Sequence, residues 1–420
     1  MSQVGLPPTE RKPRRRLTDR YRQLAQIGLA QIASSSSNIL AIVLTSHYSH
    51  GSIDEFRIGS LVFALHAFLI GIIRVVCLEP ILLAWTTSSL LYKRAVSIGL
   101  VAVPVVLILL AISRGLPSQS GIAYMVMLPA LTGQEAMRGG FIAAGRAILA
   151  AFMDLSWLVL MCLALVSYQA FHSSPLQPGL VVVIWTVSGA VSMSIGWLIW
   201  IRHPLRSDAA PTRKDNRKDL VSLASSTVVA GAALPIASVV MNVLDQGVIA
   251  ADWRTSAAIF SPFNIVASTM HLYIVPRAAR TSGRELTKWI RRYQLSLIGL
   301  SLGWCAIVQV LVWSGLLAEV LGDPWRRVQP YLLLLFLSQV LLMAAGGQFV
   351  NLRLRGHPAA ELRARVLYAI GMSLLVPTAV YFLDLKGAFL GAAVTAGLVA
   401  LFAAWRASRI LPRPLVAVTF

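Results

Sequence analysis

Arg74 stands inside the apolar run AFLIGIIRVVCLEPILLAW, far from either end of it. A charge near the middle of a bilayer costs at least about 2.5–3.5 kcal/mol on insertion scales, so it needs water, a partner or a function. Glu79 follows five residues later, about 140° further round an ideal helix, which is poor geometry for a pair within one helix. Pro80 clashes with the carbonyl of Val76 and can bend the helix there, which would bring the two charges together. A structural Arg74–Glu79 pair and an anion-binding Arg74 both stay open, and they are compatible.

Other polar residues in apolar runs fall into stripes. Gln31, Ser34, Asn38 and Thr45 share one face at helical spacing. Asn242 and Gln246 are i,i+4 neighbours, with Asp245 close to the same face. Arg254, Ser261, Asn264, Ser268 and His271 lie within about a 100° arc of an ideal helix. Polar side chains in a membrane span turn towards a neighbour or a water-filled cavity. A cavity is the favoured reading for the Arg254 stripe, with His271 a neutral hydrogen-bonding group. Plain interhelical hydrogen bonding, about 0.6 kcal/mol each, is the alternative, most of all for the Ser34–Ser37 run. A third group combines Glu135 and Arg138, i,i+3 on one face, with Arg146 and Asp154 flanking the turn into the next run. It reads as an interfacial salt-bridge cluster joining two helix ends, or as a gate or a site for a lipid head group.

No phosphate-binding loop, dinucleotide fingerprint, zinc spacing or Ser/His/Asp signature appears, so neither a cofactor nor a metal is expected, and the chain is not expected to be an enzyme. Cys77, Cys162 and Cys305 are far apart in apolar runs and read as small core residues.

These side chains need elements to hold them. Hydrophobic residues make up 57% of the 420-residue chain and charged residues 13%, about half the usual charged share of a soluble protein. Apolar runs near twenty residues recur from Gln26 to Trp405, the length a helix needs to cross a bilayer. Twelve spans follow, at 24–46, 58–85, 95–113, 121–137, 149–171, 180–201, 220–244, 255–276, 293–317, 329–350, 366–383 and 387–405. The third, sixth and twelfth are almost wholly apolar and suit a lipid-facing position.

A net charge of +20 would suggest nucleic acid in a soluble chain, but its distribution argues otherwise. With the N-terminus inside, thirty Lys and Arg fall in inside segments and six in outside loops, Arg254 being counted among the six. That asymmetry predicts a bacterial plasma-membrane protein with both termini cytoplasmic. The stretch RKPRRRLTDRYR is then an anchor beside anionic lipid, not a nucleic-acid arm. The first span is expected to stay uncleaved.

The longest charged connection, 202–219, divides the spans evenly. The organisation expected is a basic tail (1–23), an N-lobe (24–201), a linker (202–219), a C-lobe (220–405) and a second tail (406–420). Two six-helix lobes with a substrate path between them is a transporter layout. Between the halves no residue-level repeat is visible.

GIIRVVCLEPILL, GQEAMRGGFIAAGRAILAAFMDLSW and WRTSAAIFSPFNIVASTMHLYIVPRAAR resemble segments of actinobacterial polysaccharide exporters related to the O-antigen flippases, within the multidrug/oligosaccharidyl-lipid/polysaccharide (MOP) exporter superfamily. The resemblance covers most of the chain as helix order, with the specific residues confined to these stretches. It implies a V-shaped pair of lobes that alternate in access, with spans one, two, seven and eight around a central cavity. It also implies that Arg74 and Arg254 meet the pyrophosphate of a polyprenyl-linked saccharide, with Glu79 beside Arg74. Asn38, Asn242, Gln246, Asn264 and His271 complete the expected substrate-binding set. The loop HYSHGSIDEF departs from the family's first loop.

The leading expectation is a flippase or exporter of a lipid-linked oligosaccharide or envelope polysaccharide, working beside a polysaccharide polymerase and glycosyltransferases. A cation-coupled drug exporter of the same superfamily is the first alternative, against which the scarcity of membrane carboxylates counts. A membrane glycosyltransferase using Asp54 and Glu55, and a non-transporting assembly scaffold, are the others.

Overall fold

The computed structural model describes residues 13–73, 77, 91–113, 118–172, 174–202, 217–278, 281, 283–355 and 357–409. Arg74, Glu79 and Pro80 lie outside them, as do most of the linker and the outer parts of both tails. Among the described residues the fold is all-helical. The first half holds α1 (Pro13–His47), α2 (Ile53–Ile73), α3 (Leu91–Ile112), α4 (Gln119–Ala143), α5 (Ala147–Phe171) and α6 (Pro178–Arg202). The second holds α7 (Arg217–Val243), α8 (Gly247–Ala258), α9 (Ser261–Ala278), α10 (Gly283–Trp313), α11 (Leu316–Leu321), α12 (Asp323–Val328), α13 (Leu332–Leu354), α14 (Pro358–Ile370) and α15 (Val376–Arg409). Eight helical stretches among the described residues are long and apolar enough to cross a membrane.

The expected spans fall mainly on helix wherever they are described, with three corrections, to the eighth, ninth and seventh. The eighth is two helices, α8 and α9, broken just before Pro262, because proline has no N–H to donate and its ring crowds the preceding turn. The ninth ends at Trp313, and Gly315 at φ 76° turns the chain into the short α11. The seventh stops at Val243 in a Schellman turn, with Gln246 N–H on the Met241 carbonyl (2.7 Å) and Asp245 N–H on that of Asn242 (3.2 Å). Asp245 takes the left-handed position at φ 60° that glycine usually fills. The eleventh and twelfth form a hairpin reversed at Asp384 (φ 50°, ψ −140°), so tight that a Cβ on Gly387 would meet the Ala379 carbonyl. Before Pro377 the helix widens into a π turn, Gly371–Leu375, which accommodates the proline without stopping the helix.

Each half has its own apolar core. Leu128, Leu131, Trp157 and Trp185 sit in that of the first, and Phe260, Trp325, Val376 and Phe389 in that of the second. On the outer surface Leu100, Val101 and Ile108 of α3, Leu198 of α6 and Leu401 of α15 are exposed, as lipid-facing positions require.

The repeat invisible in the residues emerges in the contacts. At the start of α2, Glu55 accepts from Gln119 N–H (3.0 Å), Ser120 N–H (3.3 Å) and Ser120 Oγ (2.6 Å), so it caps α4. At the corresponding place in the second half, Asp252 of α8 holds Arg327 of α12, just before α13, by two bonds of 2.6 and 2.8 Å. Towards the other end of the bundle, Arg138 of α4 pairs with Asp154 of α5 (2.7 Å) and Arg353 of α13 with Glu361 of α14 (2.8 Å).

Candidate functional site

A cavity of about 220 Å³ lies where the two halves meet. Gln31, Ser35 and Asn38 of α1 line one wall, and Phe63, His66, Ala67 and Ile70 of α2 the next. Arg254 of α8 and Ser261 and Asn264 of α9 close it from the second half. The break in the eighth span therefore falls at the cavity. It leaves the N-terminal turn of α9 on the cavity wall, where the amide dipoles favour an anion. Trp304 of α10 donates its indole N–H to the Ile259 carbonyl at the break (3.0 Å), so the irregular backbone is satisfied from inside the protein.

Among the described residues lining this cavity, Arg254 is the one fixed charge. Its Nη2 donates to the Phe63 carbonyl (3.1 Å), and its Nε is buried without a hydrogen-bond partner. Among the described residues no carboxylate pairs with it, and none lines the cavity. A guanidinium held by one main-chain carbonyl keeps donors for a ligand, and its planar fork matches phosphate oxygens.

Asn38, Arg254 and Asn264 of the expected substrate-binding set come together here. Asn38 donates back to the Ser34 carbonyl (3.2 Å), leaving its buried Oδ1 without a partner among the described residues. Arg254, placed by the charge count in a loop, belongs to α8 instead. His271 lies on α9, but its side chain is not among those described. Asn242 and Gln246 do not line the cavity. Asn242 points to the far end, where a Cβ on Gly247 would meet both its Oδ1 and the Arg57 side chain. Gln246 is beyond the end of α7, so the two are not neighbours on one continuous helix.

The Glu135 cluster is a buried network joining α4 and α5. Arg138 binds Asp154 through Nε (2.7 Å) and Glu135 through Nη1 (3.0 and 3.2 Å), and Gln134 donates to Asp154 (2.8 Å). These four side chains are at most 4% exposed, so none of them meets a lipid head group. Arg146 is exposed, at the turn before α5. Glu55 is engaged as the cap of α4, and Asp54 pairs with Arg57 at the surface (3.3 Å). Both carboxylates of the Asp54–Glu55 pair are therefore engaged.

His66 was missed from the sequence. It lines the cavity and packs edge-to-face against Trp185 (4.9 Å between centroids), Tyr124 (6.0 Å) and Trp157 (6.3 Å). A lone histidine in FALHAFLIG resembles a core residue, although any ionisable group within a span is a functional candidate.

At the far end the halves are tied together. Ser46 Oγ donates to the Leu321 carbonyl (2.8 Å), His47 Nδ1 lies 3.2 Å from that of Val320, and Arg57 packs on Gly247.

The chain thus forms two helical halves around a polar cavity, tied together at one end. Neither a protein-family model nor a curated protein matches the amino-acid sequence. Solved structures do match the fold, and those that match are MATE and MOP-superfamily transporters. A MATE transporter in complex with MaL6 aligns with TM-score 0.64 at 14% identity, covering 92% of this chain and 96% of that one. The eukaryotic MATE transporter AtDTX14 aligns at 0.61 and 14% identity, covering 95% and 97%. A MOP-superfamily transporter from Pyrococcus furiosus, described as having a binding pocket of reversed polarity, aligns at 0.53 and 12% identity, covering 92% and 95%.

Proposed function

We propose that this chain is a transporter that carries a lipid-linked saccharide across the bacterial plasma membrane, gripping it by an anionic diphosphate. One observation carries the reading: the cavity between the halves holds Arg254 with free donor capacity, and among the described residues no carboxylate lines it. A cavity of that polarity attracts an anion and repels a cationic drug. The positive end of α9 adds to the preference, and Asn38 and Asn264 offer hydrogen bonds to phosphate or sugar oxygens. Pocket polarity differs within this superfold, as the Pyrococcus furiosus transporter illustrates.

In this reading the lobes 24–201 and 220–405 rock about the linker 202–219, with both termini cytoplasmic and the basic tail beside anionic lipid. The far-end contacts of Ser46, His47 and Arg57 break when the other access opens. Polymerase and glycosyltransferases supply or consume the cargo.

A cation-coupled drug exporter fits the fold equally well, and the cavity charge separates the two. The test is competitive binding to the purified chain of a polyprenyl pyrophosphoryl saccharide and a lipophilic cationic dye. Saturable binding of the anionic lipid, lost in Arg254→Gln, is expected. Saturable binding of the dye alone would overturn the reading in favour of drug export.

A further inference from the structure

The last turns of α15 carry Arg406 and Arg409, and both guanidinium groups sit over one indole ring. Arg406 is 4.9 Å and Arg409 4.7 Å from the centroid of Trp405. Arg406 is also 5.5 Å from that of Phe402. Phe402 packs against the apolar core that α13, α14 and α15 share at this end, with Phe349, Leu352 and Ala364. The cations are thereby anchored to packed structure. Arg353 and Arg365, at the same end, are neutralised by Glu361. Among the described residues no carboxylate pairs with Arg406 or Arg409. Nε of Arg406 is buried without a hydrogen-bond partner. Two like charges drawn to one ring, one with a donor withdrawn from water, call for a negatively charged acceptor.

The approach to this pair is apolar. Val394, Leu398, Leu401 and Trp405 are exposed and fall within about a 60° arc of an ideal helix, with Arg409 about 20° beyond it. From Val394 to Trp405 the stripe rises about 16 Å, which matches one leaflet of a hydrocarbon core about 30 Å thick. An indole followed by cations, at that distance from the bilayer midplane, stands at the level of lipid head groups. The carbonyl end of α15 also favours cations, but a dipole specifies neither the ring between them nor the stripe that leads to it.

We propose that this end of α15 is a binding site for an anionic phospholipid of the surrounding bilayer. Arg406 and Arg409 hold its phosphate, Trp405 keeps the two guanidinium groups together, and an acyl chain lies along Leu398 and Leu401. A zwitterionic lipid fits less well, because its ammonium group meets the same two cations. The site is separate from the basic tail 1–23 and does not depend on what the cavity carries.

The test uses the full chain in neutral-detergent micelles and a phosphatidylglycerol with a diazirine in one acyl chain, the photolabel being mapped to peptides. Label is expected on the stripe from Val394 to Trp405, displaced by unlabelled phosphatidylglycerol but neither by phosphatidylcholine nor by millimolar inorganic phosphate. In Arg406→Gln with Arg409→Gln, the lipid concentration for half-maximal labelling of the stripe should rise at least about tenfold, with labelling elsewhere unchanged. No label on the stripe, or equal displacement by phosphatidylcholine, would overturn the proposal. Displacement by inorganic phosphate as effective as by phosphatidylglycerol would show an anion site that is not a lipid site, and would overturn it too. An unchanged concentration in the folded double variant would overturn the assignment to these arginines. The wild-type displacement series decides the lipid class by itself, so a variant that fails to fold does not block the test.

Discussion

Nη2 of Arg254 donates to the carbonyl of Phe63 at 3.1 Å, and the two residues belong to opposite halves of the chain. The bond ties α8 to α2 and fixes the guanidinium on the cavity wall. It uses one of five donors, so the fork keeps capacity for a bound anion.

Replacing that fork should grade the loss of function. Arg254→Lys keeps the charge but not the planar geometry and should reduce transport about tenfold. Arg254→Ala should reduce it by at least about a hundredfold, since a buried charge-assisted contact disappears. Initial rates in proteoliposomes, normalised to inserted protein, are the measurement. Equal rates for wild type and Arg254→Ala would remove Arg254 from the site.

Gly247 lets Arg57 lie across the start of α8. Gly247→Val should push Arg57 away and loosen the far-end closure. The readout is thiol labelling of Ser46→Cys in a background without native cysteines. Labelling should rise severalfold with Gly247→Val added, and an unchanged rate would show that this contact does not hold the end shut.

The Arg138 network should matter for stability and not for substrate binding. Arg138→Met leaves Asp154 and Glu135 buried without their cation, a kind of change that costs about 3–5 kcal/mol. Thermal unfolding in detergent should show a large drop, partly recovered when Glu135→Leu and Asp154→Leu are added. A variant of normal stability that fails to transport would instead place the network in the transport path.

Glu361, in the first turn of α14 and ahead of the stretch 366–383, gives a pH signature. Burial alone would push its carboxyl up, but Arg353 and Arg365 outweigh this and hold it below the usual range. A depressed folded-state pKa contributes stability above the unfolded value of about 4.3 and loses it as pH falls through the folded one. The stability gap between wild type and Glu361→Gln should therefore be full at neutral pH and shrink below about pH 4. A gap independent of pH would contradict the ion-pair account.

The helices were legible because apolar runs of spanning length have few other uses, but proline was an uneven guide: Pro262 and Pro377 fall beside irregular helix, whereas Pro104, Pro129 and Pro235 sit inside unbroken helices. Asp245 hid the end of α7, because a left-handed turn is signalled by glycine and here aspartate fills it. Asn242 and Gln246 were for that reason assigned to one face. The Phe63 carbonyl and the Trp304 cap were illegible in principle, since backbone acceptors at a helix break leave no side-chain pattern. The Glu135 cluster looked interfacial because it lies near helix ends, whereas the close packing of α4 on α5 buries it.

The most direct test of the transport account is transbilayer movement of a fluorescent polyprenyl-pyrophosphate oligosaccharide in proteoliposomes, comparing wild type with Arg254→Gln. The account predicts movement by wild type and none above the empty-liposome rate by the variant. Movement at the same rate in both, or in neither, would contradict it.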